Sequence, residues 1–264
     1  MVGTDTPGGT VGRTLVLIDA TVPVARAAHG LGCRVALVQR PGAPVHELAE
    51  DHTDYYSVDF GPDPSAHAPD TAAHATTAGP AAFADFVQSV LRPLDPWAVL
   101  SLTGAGALPA ATAAALLGAV GAPVGAVRAL AAAGDPEVAA GELVLRAHTF
   151  TVDGDHRWIA AVPEGRPAMP PEHLLPERVL PPEEHRAALA ALTGLLDAAA
   201  LPAGPALVRL AVRDGRARVL TAAHGTGTDD ENDLIRRLTG FDLTDHSLRW
   251  PFGAPAGTDR EAGR

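Results

Sequence analysis

Over the first half of the chain, short apolar runs alternate with stretches in which apolar residues recur at helical spacing. Three of the runs have the length of buried strands: Thr14–Asp19, Arg34–Val38 and Trp97–Leu102. Three stretches between and after them are typical of helices: the Ala-rich segment that ends at His29, Phe83–Leu91 and Leu108–Leu117. Because strands that alternate with helices form parallel sheets, residues 14–128 are predicted to fold as an α/β, doubly wound parallel sheet.

The pattern changes after residue 130, where strand-like runs come in pairs around turn residues. One pair flanks Asp153-Gly154-Asp155-His156 and the other flanks Asp214-Gly215, and such turns are typical of β-hairpins. The paired runs are Leu143–Val152 with Arg157–Val162, and Ala206–Val212 with Ala217–Thr221. Between the two pairs, Pro182–Ala200 has leucines at helical spacing. We therefore predict a C-terminal α+β domain of antiparallel hairpins and helices.

These two patterns place a domain boundary near residue 130. We predict a first domain over residues 1–130, a second domain over residues 131–251 and a disordered tail over residues 252–264. Within the first domain, Gly61–Gly79 is rich in Pro, Ala, His and Thr and is predicted to be a surface loop.

The chain contains no lysine, because all 20 of its Lys and Arg residues are arginines. On the surface this is explained by compositional drift in a chain rich in Ala, Gly, Pro and Arg. Drift does not replace a lysine that an active site requires, since arginine keeps its proton at any working pH and presents a planar fork rather than a point charge. Lysine-dependent nucleotide or Schiff-base chemistry is therefore excluded.

Charge and cysteine content exclude further classes of protein. A net charge of −11 argues against nucleic-acid binding, which depends on clustered Lys and Arg. A single cysteine, Cys33, excludes an intramolecular disulfide and is typical of a reducing compartment. The segment Met1–Thr10 lacks the features of a signal peptide, and Ala110–Val127 is interrupted by Gly and Pro before it reaches a spanning length. We expect a cytoplasmic protein without a membrane segment.

Common cofactor and nucleophile motifs are missing. The first strand-to-helix turn, Asp19–Pro23, has no glycine, so the backbone cradle for a dinucleotide pyrophosphate is absent. The sequence also contains no P-loop, no Cys or His pair at zinc-site spacing, and no serine between glycines in a nucleophile elbow. No cofactor and no metal site are predicted.

The order of several segments resembles the ATP-grasp carboxylate-amine ligases. In the first domain these segments are TLVLID, AAHGLGCRVALVQRPGAPVHELAEDHTDYYSVDF and WAVLSLTGAGALPAATAAALLGAVGAP. In the second, LRAHTFTVDGDHRW is similar to the family's central hairpin, and GPALVRLAVRDGRARVLTAAHGTGTDDENDLIRRLTGFDL is similar to its closing segment. The resemblance covers residues 14–128 and 142–243. It implies a pre-ATP-grasp-like first domain followed by an ATP-grasp-like lobe.

The departures from the family pattern indicate a truncated and degenerate relative. Only Ala129–Gly141 stands where the family has its nucleotide-covering lobe with two lysines and a glycine-rich loop. By position, Arg209, Thr221 and Ala223 replace the two glutamates and the asparagine that hold Mg²⁺ in the family. Because Mg²⁺ needs oxygen ligands, an arginine there repels the ion that a glutamate attracts. The family's nucleotide-covering lobe, its lysines and its metal ligands are therefore all missing from this sequence.

Candidate residues of the second domain fall on its strands. His224 follows a predicted strand and is either a general base near pH 7 or an ordinary loop histidine. His148 and Thr221 are placed on the same lobe and so belong to the candidate site, His148 as a second catalytic residue. Arg209 is the candidate to bind a carboxylate or phosphate with its fork. The alternative for Arg209 is a surface ion pair with Asp214 or Glu142.

The acids after His224 have a simple structural interpretation. Asp229 or Asp230 is expected to cap a helix over Glu231–Leu238 at its positive end.

In the first domain, Asp19 and the turn Thr103-Gly104 end two predicted parallel strands. Open α/β sheets bind ligands at that edge, so Asp19, Thr103 and Gly104 are candidates to contact a small metabolite. The alternative for Asp19 is that it only caps the next helix.

Two hypotheses follow. The first is a degenerate ATP-grasp-like protein that binds a small carboxylate or amino-acid-like metabolite and acts without ATP in a biosynthetic pathway. The second is a non-catalytic subunit that pairs with itself or with an active ATP-grasp ligase. A homo-oligomer is expected, because a missing lobe leaves apolar surface to be covered.

Overall fold

The computed structural model describes residues 10, 12–43, 54–60, 80–165 and 174–253. The whole predicted loop Gly61–Gly79, and all of the predicted tail beyond Gly253, lie outside these residues. The described chain forms two four-stranded sheets.

The first sheet is parallel and has the strand order β3-β2-β1-β4. Its strands are β1 (Thr14–Ile18), β2 (Arg34–Gln39), β3 (Asp54–Ser57) and β4 (Pro96–Leu100). β1 is buried along its whole length, as a central strand covered on both faces must be. β3 lies at the edge and is only partly buried, and for that reason it lacks the continuous apolar run that predicts the other three.

Helices cover both faces of this sheet. α1 (Val22–His29) packs on one face, where β1 contributes Leu15 and Leu17 to the core. α2 (Pro80–Phe86), which continues as a π-helical turn over Val87–Leu91, packs on the other face together with α3 (Gly104–Leu117). The prediction of a doubly wound parallel sheet is confirmed.

α3 begins four residues before the predicted helix, because Thr103 caps it. The Thr103 hydroxyl oxygen accepts a hydrogen bond from the Gly106 N–H at 3.1 Å. A threonine in this position satisfies one of the N–H groups that a helix start leaves without a partner. α4 (Val124–Ala131) follows α3, and residues 132–142 then lead to the second sheet without forming a helix or strand.

The second sheet is antiparallel and has the order β6-β5-β7-β8. Its strands are β5 (Leu143–Val152), β6 (Asp155–Pro163), β7 (Gly204–Arg213) and β8 (Arg216–His224). They form the two predicted hairpins. α4 and α6 (Pro182–Ala198) pack on one face through leucines such as Leu192 and Leu196, and the short α5 (Pro176–Val179) precedes α6. The α+β architecture predicted for this half is confirmed.

The end of the last helix returns to the first sheet. α7 (Asp229–Thr239) is followed by α8 (Leu243–Arg249), from which Leu248 joins the same core as α1. Phe252 is buried in that core, although the tail is predicted to begin there. The indole N–H of Trp97 also donates to the Pro251 carbonyl at 2.8 Å. Packing between the two halves therefore extends to residue 252.

None of the described helices is both long enough and apolar enough to cross a bilayer.

Candidate functional site

The crevice of the first sheet lies between β1 and β4, where the strand order reverses. Asp19 follows β1 with a positive φ of 57°, and its Oδ2 accepts a hydrogen bond from the Thr103 hydroxyl at 2.9 Å. Asp19 does not cap α1, since Thr21 occupies the cap position. The structure thus brings together Asp19, Thr103 and Gly104, three candidates of the first domain.

The loop between β8 and the next helix packs against this crevice. The Thr226 N–H donates to the Leu102 carbonyl at 3.0 Å. A Cβ on Gly225 would lie 2.8 Å from the same oxygen, so only glycine permits this approach. A Cβ on Gly104 would lie 3.4 Å from the Ala223 Cβ. The first sheet's carboxyl edge therefore meets the end of β8.

Residues from both halves of the chain line a cavity of about 390 Å³ at this edge. Its polar lining residues are Asp19, Thr21, Gln39, Thr103 and Asp229. The Thr21 hydroxyl donates to Asp229 Oδ1 at 2.9 Å, joining the starts of α1 and α7. We refer to this space as the edge cavity.

The start of α7 is capped differently from the prediction. The cap is Thr228, whose hydroxyl accepts from the Glu231 N–H while the Glu231 carboxylate accepts from the Thr228 N–H. This reciprocal arrangement is a capping box. The expected caps, Asp229 and Asp230, are instead the first residues of the helix. The Asp229 carboxylate is therefore available to the edge cavity.

His148 is buried on β5, with 1% of its surface exposed. Its Nδ1 lies 3.1 Å from the Thr226 carbonyl, and since a carbonyl only accepts, Nδ1 carries the proton. The unprotonated Nε2 lies 3.9 Å from Glu231 Oε2. Burial lowers the pKa of His148 to about 4, against the opposing effect of the Glu231 carboxylate. His148 is thus neutral near pH 7 and holds the loop that carries Thr226.

His224 is the last residue of β8 rather than a loop histidine. Side chains alternate along a strand, so His224 points to the opposite face from Thr221. It lies against Ser101 and the first turns of α3, and 5% of it is exposed. In the part of the chain that the structure describes, neither ring nitrogen has a hydrogen-bond partner. Burial lowers the pKa of His224 to about 4.

Arg209 lies on β7 opposite Thr221 on β8. Its Nε and Nη2 donate to the two carboxylate oxygens of Glu164 at 2.8 and 2.7 Å. These hydrogen bonds hold the pKa of Glu164 below its ordinary value. The acids considered from the sequence have other partners, because Asp214 pairs with Arg213 and Glu142 pairs with Arg218. The guanidinium group of Arg209, which was expected to bind a substrate carboxylate, is thus already bound by Glu164.

Arg146 is a charged neighbour of Arg209 that no sequence motif indicates. It pairs directly with Arg209 across β5 and β7, and its side chain forms an ion pair with Glu231. Its signal in the sequence is an arginine within the apolar first half of that strand. His148 shares this sheet face with Arg146 and Arg209, whereas His224 does not. The candidate catalytic histidines therefore do not converge on one pocket.

This face does not fit the Mg²⁺ of the family that the sequence resembles. The register sets Arg146 and Arg209 side by side where the ion would have to bind, and Ala223 provides no oxygen. The nearby carboxylates of Glu164 and Glu231 are each already paired with an arginine. Because arginines offer no oxygen ligand and hold the neighbouring carboxylates, this face lacks free ligands for a divalent cation.

Comparison with solved structures identifies proteins of similar architecture. An L-amino acid ligase from Bacillus licheniformis superimposes with a TM-score of 0.67 at 13% identity, over 92% of this chain and 74% of that one. A phosphoribosylglycinamide synthetase from Anaerococcus prevotii gives 0.62 at 10% identity, over 91% and 75%. A pyruvate carboxylase from Rhizobium etli gives 0.61 at 14% identity, over 92% of this chain but 24% of that one.

No protein-family model and no curated protein matches this sequence. At such low identity the solved structures show the fold alone. Both sheets and the helices that cover them agree with these ligases and carboxylases, and the chain therefore has an ATP-grasp-like fold.

Proposed function

We propose that this protein binds a small carboxylate or amino-acid-like metabolite in the edge cavity, and that it acts in a biosynthetic pathway without ATP or Mg²⁺. The observation that carries the proposal is a cavity of 390 Å³ lined by polar residues of both domains at the reversal of strand order. Small-molecule sites in open α/β sheets form at this position, and the volume is within the range of such sites.

The absence of ATP chemistry is supported by three independent features. The chain has no lysine to contact phosphates. Residues 132–142 connect α4 to β5 without a helix or strand, so no folded lobe covers the second sheet from that connection. On the second sheet, Arg146 and Arg209 stand where a metal ion would be needed. Each feature removes a different part of nucleotide binding.

The test is thermal unfolding of the full chain with candidate ligands. A ligand that binds only the folded state raises the melting temperature as its concentration rises. We expect no shift with millimolar Mg-ATP, and a saturable rise with at least one member of a panel of small carboxylates, amino acids and phosphorylated acids. A saturable shift with Mg-ATP would contradict ATP independence, and a panel without any stabilising member would contradict metabolite binding.

The alternative is a non-catalytic subunit of an active ligase. Exposed apolar side chains on α3, Leu108 and Leu116, favour a protein partner on that helix. The same thermal experiment distinguishes the two proposals, because a subunit without a ligand gains no stability from the panel.

A further inference from the structure

One helix beside the first sheet is apolar on the side that faces away from the core. We infer that this side of α3 is a docking surface for a second copy of the chain, and that the two α3 helices pack antiparallel about a two-fold axis. The surface, here called the α3 face, consists of Leu108, Thr112, Ala115 and Leu116. These residues lie outside the lining of the edge cavity, so the inference is independent of metabolite binding.

The α3 face offers almost no hydrogen-bonding group to water. α3 contains no charged residue, and Thr112 is its single polar side chain. The Thr112 hydroxyl donates to the Leu108 carbonyl of the same helix at 2.8 Å, so it needs no water. Leu108 and Leu116 are nevertheless 38% and 37% exposed. A helix that is apolar on all sides is normally buried, and α3, with 14 residues, is too short to cross a bilayer.

Other long helices of the chain carry charges where they meet solvent. α6 has Glu183 and Glu184 in its first turn, and α7 has Arg236 and Arg237 in its last turn. The Ala-rich composition of the chain therefore does not by itself produce an uncharged helix face. The α3 face is a property of this helix, and a protein partner is the expected cover.

The segment formed by α2 and its π-helical turn lies beside α3 on the same face of the sheet. Arg92, which follows that turn, donates from Nη2 to the Leu116 carbonyl at 2.8 Å, so the two helices end at the same level. Both run opposite to β4, because α2 leads into β4 and α3 follows it. Asp85 stands about as far before Arg92 as Leu108 stands before Leu116, and Asp85 and Arg92 are both exposed.

These two flanking charges select the antiparallel arrangement. A two-fold axis perpendicular to α3 at Thr112 sets Leu108 of one copy against Leu116 of the other. Asp85 of each copy then faces Arg92 of the other, and because the contact is isologous this ion pair forms twice. A two-fold axis parallel to α3 would place the two α2 segments on opposite sides of the α3 pair, where Asp85 and Arg92 cannot meet. A second copy therefore matches the α3 face in both polarity and charge.

The first test places a charge on the α3 face of the full chain. Analytical ultracentrifugation measures the dissociation constant of the dimer, and we expect Leu116→Glu to raise it at least about tenfold, because the carboxylate would be buried against an apolar surface. Leu189→Glu is the matched control, since Leu189 on α6 is equally exposed at 38% but belongs to the other half of the chain. Its dissociation constant should equal that of the unsubstituted protein, and circular dichroism checks that both variants are folded.

The second test reverses the flanking charges. Asp85→Arg sets two arginines against each other at both ends of the contact, and we expect the dissociation constant at low salt to rise about fivefold or more. Combining Asp85→Arg with Arg92→Asp restores opposite charges and should return the constant to within about threefold of the original. A purely structural role of Arg92 within its own chain would not produce this recovery.

Three results would overturn the inference. A chain that stays monomeric into the high micromolar range has no self-docking surface on α3. Equal effects of Leu116→Glu and Leu189→Glu would show that the copies meet elsewhere. A double charge reversal that dimerises as weakly as Asp85→Arg alone would contradict the antiparallel arrangement.

Discussion

At the scale of single residues, two neighbouring arginines of the second sheet each form an ion pair with a different carboxylate. Arg209 is held by Glu164 and Arg146 by Glu231, so that two opposed arginines are each neutralised by a neighbouring acid. Removing one partner of such a pair lowers the free energy of unfolding, because the other charge remains partly buried without compensation. The ion pairs therefore account for arginines that would otherwise repel each other across the strands.

The first prediction concerns Arg209→Ala. Since the fork of Arg209 is already bound by Glu164, we expect a loss of up to about 1 kcal/mol in the free energy of unfolding and unchanged affinity for the metabolite. Urea unfolding and calorimetric titration measure the two quantities. A drop in affinity of tenfold or more would instead assign Arg209 to a substrate carboxylate, as its position in the sequence suggests. Arg249→Ala, which removes an exposed ion pair with Asp245, is the control.

At the scale of elements, the loop between β8 and α7 joins the two halves of the molecule. Gly225 allows it to approach β4, the Thr226 N–H binds the Leu102 carbonyl, and the Thr226 carbonyl accepts from His148. The loop then leads into the capping box of α7, which positions Asp229. One short segment thus sets both the contact between the sheets and one wall of the edge cavity.

The second prediction compares two glycines. Gly225→Ala places a methyl group 2.8 Å from the Leu102 carbonyl oxygen at a φ of 149°, and we expect it to lower the free energy of unfolding by about 1–3 kcal/mol. Gly125→Ala, inside α4 with no atom within 4 Å of the added group, is expected to raise it by about 0.5–1 kcal/mol. Equal effects in chemical denaturation would contradict the close approach of the loop.

At the scale of the whole molecule, two neutral histidines are buried near the contact between the halves. Burial lowers the pKa of both His148 and His224 to about 4 in the folded protein. In the unfolded chain their pKa returns to about 6.5. Below that pH the unfolded state binds protons that the folded state does not, so acid favours unfolding.

The third prediction is a loss of stability as the pH falls from about 7 to about 4.5. We expect the free energy of unfolding to decrease by roughly 1–3 kcal/mol over this range, and His224→Gln to reduce the dependence. Gly125→Ala, which removes no titratable group, is the control and should leave the slope unchanged. Urea unfolding at several pH values provides the measurement, and a slope that His224→Gln does not alter would contradict the assignment.

The fourth prediction is a homo-oligomer. Large apolar side chains remain exposed on the single chain, among them Leu108, Leu116 and Trp97. Because symmetric dimers are the commonest way to cover such surface, we expect a mass of at least twice 27.0 kDa at micromolar concentration. Light scattering checks it, and a monomeric mass across that range would count against it.

The sequence by itself determined the class of the fold, because strand and helix periods and hairpin turns are properties of neighbouring residues. It also predicted that lysine-dependent chemistry is excluded, because the absence of lysine is read directly from the sequence. It placed Asp19 and Thr103 at one edge, because parallel strands end on the same side of a sheet.

Only the tertiary structure decided which side chains meet. Thr21 and Asp229 are 208 positions apart, and Arg209 and Glu164 are 45 apart, so no local pattern predicts either contact. The predicted strand ends at Thr221, whereas β8 extends to His224, and this extension places the His224 side chain on one face of the sheet. The burial of Gln39 depends on packing from several elements. Local periodicity specifies the strands and helices, whereas the charges and hydrogen bonds at the edge cavity arise only when distant segments pack together.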